Sequence, residues 1–366
     1  MNHLVLKKQL LFEPKLILSV LIFYQNFNTK AIYSSYTSQK DNEDRCSQEK
    51  LHLYKSKGQH LLTNPRVLDT IVRRSAVEPT DTVLEIGPGT GNLTLRLLEV
   101  ARKVVAVEID KRMVEILRER ASEQGLQDKL DIIHKDALKA EFPNFNIVVA
   151  NIPYGISSPL VTKLVYGVNK FRSLTLLLQK EFARRLLANP GDPEYNRLAV
   201  NVKLVADVEF VMDVSKRDFV PSPKVDSSVV IIRPKTEIPS VNLVEWRAFT
   251  RTCFGNKNKT LGAIFKQKKK VMELLRMHNM TSCNSKSRVN ANDDDDDDHN
   301  HNENSDGEGE GGHFCSCSEM EVSFYKERII EVLKANGFEG NRPSKLSNKE
   351  LVNLLSLLNQ AGVFFT

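Results

Sequence analysis

The chain has 366 residues, 41% of them hydrophobic and 27% charged, a balance that supports a buried core and excludes global disorder. Its net charge of +6 conceals an acidic stretch: removing the ten acids of residues 293–310, which contain no Lys or Arg, leaves +16 on everything else. A body that basic fits a polyanionic partner, most simply nucleic acid, although a merely soluble surface gives the same number. Five cysteines (Cys46, Cys253, Cys283, Cys315, Cys317) are odd in number and mostly far apart, so a disulfide scaffold does not fit and a reducing compartment is expected.

Residues 1–50 differ in character from the rest of the chain. Through Lys40 they hold one acid, Glu13, against five lysines, and they are rich in Ser, Thr, Tyr and Asn. Such a segment resembles an organelle transit peptide, although arginine is absent before Arg45. A disordered tail is the plain alternative. The apolar run at residues 16–24 resembles the core of a secretory signal, but no small-residue cleavage site comes directly after it. That run is far shorter than the roughly 20 residues of a membrane helix, so no membrane partner is expected.

From 51 to 238 short apolar runs alternate with helical stretches. Strands are predicted at 83–86, 103–108, 130–134, 147–150, 174–178 and 228–232, and helices at 93–100, 112–124 and 159–168. This alternation predicts an α/β fold with a parallel sheet covered on both faces. Residues 239–366 read as a helical domain, with helices at 246–254, 257–277, 319–335 and 349–360. Ser347 and Glu350 form a capping box before the last of these. A disordered acidic insertion at about 281–318 interrupts this domain, since six consecutive aspartates cannot pack together. Lys257, Lys259, Lys266, Lys268, Lys269 and Lys270, near Arg247 and Arg251, read either as phosphate contacts or as a solvated helix face. Arg184 and Arg185 read as part of the same face. Cys315 and Cys317 with His299, His301 and His313 suggest zinc, but the spacing is tight and low-complexity composition accounts for them; no metal is expected.

The chemistry is concentrated at the predicted strand ends. Glu85-Ile86-Gly87-Pro88-Gly89-Thr90-Gly91-Asn92 comes after a strand and opens a helix. Its glycines allow a sharp turn and close approach to a ligand. Asn92 breaks the dinucleotide spacing, and no Gly-Lys-Ser/Thr comes next, so a Walker loop is excluded. Glu108 ends the next strand, where a carboxylate can accept hydrogen bonds from both hydroxyls of a ribose. Asp136 ends the third, placed to take the amino group of an adenine ring. Singly, each acid reads as a helix cap; in series at successive strand ends they define a ligand site. The fourth strand ends in Asn151-Ile152-Pro153-Tyr154. An exocyclic adenine amine is a weak nucleophile because its lone pair is delocalised into the ring. The Asn151 side-chain oxygen and the Ile152 carbonyl can accept the two amine hydrogens and draw that lone pair out, while Tyr154 stacks on a base taken out of its helix. An ordinary Asn-x-Pro turn is the bland alternative.

Together these residues resemble a class I S-adenosylmethionine-dependent methyltransferase. The flanking runs Lys57-Gly58-Gln59-His60-Leu61-Leu62, Phe219-Val220-Pro221-Ser222-Pro223-Lys224-Val225-Asp226-Ser227-Ser228 and Asn256-Lys257-Asn258-Lys259-Thr260-Leu261 narrow this. The set is similar to the ribosomal RNA small-subunit adenine dimethyltransferase family, eukaryotic branch. The resemblance runs from about residue 54 to the C-terminus, minus the acidic insertion. It implies a Rossmann-like, seven-stranded sheet followed by a small all-helical domain. It implies transfer of two methyl groups from S-adenosyl-L-methionine to N6 of each of two adjacent adenosines near the 3′ end of small-subunit rRNA, within ribosome biogenesis. It carries cofactor contacts over to His60, Leu62, Gly87, Gly89, Glu108, Asp136 and Asn151. It assigns the amine site to Asn151, Ile152, Pro153 and Tyr154, with Phe219 as the second aromatic face against the flipped base. The expected partners are small-subunit rRNA and the pre-ribosomal small subunit, met by a monomer. His60 stands where many bacterial relatives have Asn, and Asn256 where eukaryotic relatives often have Arg.

Three rivals remain. A large-subunit rRNA adenine methylase shares the Gly-rich and Asn-x-Pro-Tyr motifs, whereas the Lys-Asn-Lys-Thr-Leu and Pro-Ser-Pro-Lys-Val-Asp-Ser-Ser runs favour the small-subunit branch. An N6-adenine DNA methylase commonly has Asp-Pro-Pro-Tyr in place of Asn-Ile-Pro-Tyr. A non-catalytic ribosome assembly factor or mitochondrial transcription factor has no need of the intact Glu108, Asp136 and Asn151–Tyr154 set. The basic N-terminus points to the mitochondrion, with the nucleolus as the alternative.

Overall fold

The computed structural model describes residue 53, residues 59–283 and residues 318–365. The expected transit segment, most of the acidic insertion and the Cys315/Cys317 group with its histidines lie outside the described residues. A two-residue strand β1 (Leu61–Leu62) leads into α1 (Pro65–Ser75). The alternating part then runs β2 (Thr82–Ile86), α2 (Asn92–Val100), β3 (Lys103–Glu108), α3 (Lys111–Glu123), β4 (Leu130–His134), β5 (Ile147–Asn151), α4 (Ser157–Tyr166) and β6 (Ser173–Gln179). Next come α5 (Lys180–Leu187), α6 (Arg197–Val205), β7 (Ala206–Val214), the short β8 (Phe219–Val220) and β9 (Ser227–Pro234). Beyond it the described elements are helical: α7 (Leu243–Phe254), α8 (Leu261–Phe265), α9 (Lys268–Cys283), α10 (Glu319–Ala335) and α11 (Asn348–Gln360).

Seven strands form one sheet in the order β4-β3-β2-β5-β6-β9-β7. The parallel sheet expected from the sequence is corrected here: β4, β3, β2, β5 and β6 are parallel, but β9 runs antiparallel between β6 and β7. Strand direction is invisible in a run such as Ser-Val-Val-Ile-Ile, which is equally apolar either way. β7 escaped the sequence reading because Asp207, Glu209 and Asp213 interrupt its apolar residues; it lies at the sheet edge, where one face meets water and a bulge falls between Phe210 and Met212. The single helix expected over 257–277 is broken. Thr260 accepts the Ala263 N–H at 3.2 Å and starts α8 afresh, and α9 begins at Lys268.

Alternation along the strands builds two cores. Leu84, Ile86, Val105, Val107, Val148 and Ala150 face one, and Val83, Val104, Ile147 and Val149 face the other. Successive side chains of a strand point to opposite faces, so both faces of the sheet are covered. The first core continues through α4 and α6 into the C-terminal helices, where Trp246, Phe249 and Phe265 are fully buried. The second is closed by α1 and α2. The strand order reverses between β2 and β5, and crevices at such a reversal, outside the carboxyl ends of the strands, are where open α/β sheets take ligands.

Candidate active site

The reversal brings the Gly-rich turn after β2 against Asn151–Tyr154 after β5. Gly87 has φ +68°, and a Cβ there would stand 3.3 Å from the Pro153 ring and 3.6 Å from the Asn151 carbonyl. Gly89 has φ +56°, and its Cβ would stand 2.7 Å from Leu61. The turn therefore needs glycine twice over, for backbone hand and for space. Arg120 of α3 pins its far end, donating to the Thr90 carbonyl and, at 3.0 Å, to Asn92 Oδ1. Asn92 Nδ2 donates in turn to the Leu62 carbonyl at 2.9 Å. Leu62 pairs with Phe219 in the β1–β8 ribbon, so the segment before α1 is strapped to the turn.

Glu108 is 8% exposed at the end of β3. It accepts amide hydrogens from Ile109 and Asp110, each at 2.9 Å, and from Gly89 at 3.2 Å. Burial raises its pKa, and the three amides oppose that rise. Both acceptor lone pairs of Oε2 are not consumed by one amide, so the carboxylate can also receive a hydroxyl. Ile109 beside it is 66% exposed, an apolar side chain presented at the strand end. Asp110, held well below the usual carboxylate range by Arg112, also takes Gln59 Nε2 at 2.8 Å. Glu85 lies beneath the turn, 1% exposed, and its Oε2 has no hydrogen-bond partner. Burial pushes its pKa up to about 8, against a smaller opposing effect of the Thr94 hydroxyl. Asp136 lies two residues beyond the end of β4, half-buried, with Oδ1 accepting the Leu138 N–H at 2.9 Å.

Asn151 is the last residue of β5, paired with Leu177 of β6. Its Nδ2 donates to the His60 carbonyl at 3.2 Å. A carbonyl only accepts, so this bond fixes the amide orientation and leaves Oδ1 as an acceptor turned away from His60. Ile152 is buried, and its N–H is spent on the Leu177 carbonyl at 3.2 Å. The Tyr154 hydroxyl and Ser227 Oγ share a hydrogen bond of 2.7 Å, and burial raises the phenol pKa, so it stays protonated. The Tyr154 ring stacks with His60 at 6.2 Å between centroids and 24° between planes. His60 Nδ1 lies 2.7 Å from the Pro221 carbonyl, beyond a cis Val220–Pro221 bond, so Nδ1 carries its hydrogen.

The structure thus gathers His60, Leu62, Gly87, Gly89, Glu108 and Asn151–Tyr154 around one crevice. Phe219 is only 2% exposed, its ring in the second core and its backbone paired with Leu62. The lysine run is largely committed within the fold. Lys257 donates to the Pro193 and Tyr195 carbonyls, and Lys266, Lys268 and Lys270 pair with Glu339, Glu319 and Glu273. Sequence reasoning missed Arg120, Ser227, Ile109 and the orphaned Glu85 oxygen. Only Ile109 left a signal, an apolar residue directly after a strand-end acid.

These residues fit S-adenosylmethionine. Glu108 and Ile109 offer a carboxylate and an apolar surface for a nucleoside, the glycines make room for a close-lying chain, and the buried Glu85 carboxyl, one oxygen without a partner, lies beneath them. When bound, that group supplies a methyl already activated on a sulfonium. The fold and site define a class I S-adenosylmethionine-dependent methyltransferase.

Comparison with known proteins takes the identification further. A family model described as ribosomal RNA adenine dimethylase matches residues 51–297. A protein of Arabidopsis thaliana named "Ribosomal RNA small subunit methyltransferase, mitochondrial" is 64% identical over 334 residues, 88% of this chain and 83% of its own length. A probable dimethyladenosine transferase of Dictyostelium discoideum is 42% identical over 85% of this chain and 90% of its own. Among solved structures, a dimethyladenosine transferase from Plasmodium falciparum aligns with a TM-score of 0.68 at 36% identity, covering 84% of this chain and all (100%) of that one. The 23S rRNA methyltransferase ErmE aligns at 0.53 and 25% identity, over 82% and 100%. The chain belongs to the ribosomal RNA adenine dimethylase family, as the resemblance in its motifs implied. It is an rRNA adenine dimethyltransferase that uses S-adenosylmethionine.

Proposed function

We propose that the chain transfers two methyl groups to N6 of each of two adjacent adenosines near the 3′ end of small-subunit rRNA, acting as a monomer on the pre-ribosomal small subunit. The observation that carries the chemistry is the Asn151 amide. With Nδ2 given to the His60 carbonyl, Oδ1 accepts one amine hydrogen of the target base and the Ile152 carbonyl accepts the other. The amine nitrogen then keeps its lone pair for the methyl carbon. Catalysis is mainly positioning and electrostatics, with the proton leaving after the methyl has arrived. Tyr154, held through Ser227, supplies the face on which the extruded base stacks. Glu108 holds the ribose and Asp136 the adenine amino group of the cofactor. His60, Leu62, Gly87 and Gly89 line the same pocket, and Phe219, its ring buried in the second core, supports that pocket through its backbone pairing with Leu62. Residues 51–238 act as the methyltransferase domain and 239–366 as the helical domain that grips rRNA.

The small-subunit choice is supported by relatives that carry that name at 64% and 48% identity, against 25% for the 23S enzyme. Mapping dimethyladenosine on immature small and large subunits tests it: modification near the 3′ end of the small-subunit RNA is expected, and modification confined to the large subunit contradicts it. The basic N-terminus and the mitochondrial name of the 64% relative support a mitochondrial location. Residues 1–50 fused to a fluorescent protein should report to mitochondria; a diffuse cytosolic signal contradicts import.

A further inference from the structure

Lys163 lies on α4, the helix that comes after Asn151–Tyr154. Its ammonium has three hydrogens and three carbonyl partners, all in one turn: Ala137 at 3.0 Å, Leu138 at 2.6 Å and Ala140 at 2.7 Å. The Phe142 ring lies 4.7 Å from the same nitrogen. The turn begins at Asp136, whose side chain takes the Leu138 N–H and whose carbonyl takes the N–H groups of Lys139 at 3.0 Å and Ala140 at 2.8 Å. Three carbonyl dipoles converging on one point repel one another, and a charged donor between them offsets that repulsion. The direction of the Asp136 carboxylate is therefore set by a side chain rooted in the helix of the amine-site loop. An exposed lysine that serves solubility extends its ammonium to water. Here burial holds the amine pKa below its usual value, with Asp136 and Glu141 opposing.

We propose that Lys163 is a positioning residue that acts through Asp136, fixing the acid on the adenine side of the cofactor relative to Asn151. The proposal rests on the reading of Asp136 as the partner of the adenine amino group. It assigns Lys163 an effect on cofactor affinity and none on the chemical step. Loss of one well-aligned charged hydrogen bond corresponds to about tenfold in affinity.

The test is a double-mutant cycle on the full chain, with KM for S-adenosylmethionine, KM for RNA and kcat measured for wild type, Lys163→Met, Asp136→Ala and the double variant. The expected result is an S-adenosylmethionine KM raised about tenfold by either single change and little further by both. RNA KM and kcat should stay within about twofold for Lys163→Met, and Lys163→Arg should recover part of the loss, since a fork donates to two carbonyls but not to three convergent ones. If Asp136→Ala raises KM and Lys163→Met does not, the proposal is overturned and the reading of Asp136 stands. Fully additive effects overturn it too, because Lys163 then acts independently. If Asp136→Ala leaves KM unchanged, the reading of Asp136 falls and the proposal with it. Should Lys163→Met not fold, Lys163→Arg carries the test, and a wild-type KM there overturns the proposal.

Discussion

Two side chains of the site have consequences that can be measured singly. Glu85 is buried with an oxygen left unpaired, and its pKa stands near 8 against an ordinary 4.5. The folded protein therefore binds this proton more tightly than the unfolded chain. The stability tied to it is fully present below about pH 4.5 and is lost as pH rises towards 8. Glu85→Gln removes that dependence. The stability of wild type relative to the variant should fall by on the order of 1 kcal/mol per pH unit between pH 5 and 8, read from denaturant midpoints at each pH. A constant difference contradicts the buried, protonated state. Ser227 has the opposite character: neutral, and coupled to one partner. Ser227→Ala and Tyr154→Phe each break the same 2.7 Å bond, so each should lower kcat by a few-fold and the pair should cost no more than one. Additive losses in single-turnover rates would separate the two residues.

At the scale of elements, the β1–β8 ribbon joins residues more than 150 positions apart and holds His60 and Leu62 at the crevice, while the Phe219 ring is buried in the second core. Asn92 ties it to the Gly-rich turn through the Leu62 carbonyl. Asn92→Ala should raise KM for S-adenosylmethionine several-fold with kcat little changed, because it loosens the strap without touching the amine site; a fall in kcat alone contradicts this. The same elements show what a sequence discloses. β3 and β4 were legible to the residue because each is an apolar run closed by polar residues, and α11 because Ser347 and Glu350 cap it. Glu108 and Asn151 were legible as strand-end residues in series. β1 and β8 were not, since two residues have no period. The Arg120 clasp on Thr90 and Asn92 was not, since it joins helix to turn across 28 residues and more. Nor was the commitment of Lys257, which reads as a free cation until the Pro193 and Tyr195 carbonyls are brought to it.

Across the whole molecule, the first core runs unbroken from the sheet into the C-terminal helices. Tyr195 Oη donates to the Leu346 carbonyl, Thr250 to Asn201, and Asn348 to the Val200 carbonyl, so polar bonds cross the same boundary. Residues 59–283 and 318–365 should therefore unfold in one transition, followed by tryptophan fluorescence from buried Trp246 and by circular dichroism; two separated midpoints contradict a shared core. At the opposite end of the strands, Arg172 holds Asp81, 3% exposed, through bonds of 3.0 and 2.6 Å. Burial pushes the Asp81 pKa up, but Arg172 and the Glu78 amide, which donates at 2.7 Å, together outweigh it and the net pKa is lowered, so this stability is present above the unfolded value and lost as pH falls. Arg172→Ala should cost about 2 kcal/mol at neutral pH, less than a fully buried pair because the arginine is itself half-exposed. The cost should shrink in acid, and a penalty unchanged in acid contradicts the pairing. On the function proposed above, this framework serves one act, the presentation of an adenine amine to an activated methyl by Asn151. The measurement that reaches it most directly is methyl transfer from labelled S-adenosylmethionine to immature small ribosomal subunits, with nucleosides read by mass spectrometry. Wild type should yield N6,N6-dimethyladenosine, and Asn151→Ala should yield none while binding the subunits within a few-fold of wild type. Equal dimethylation by both would contradict the role given to Asn151.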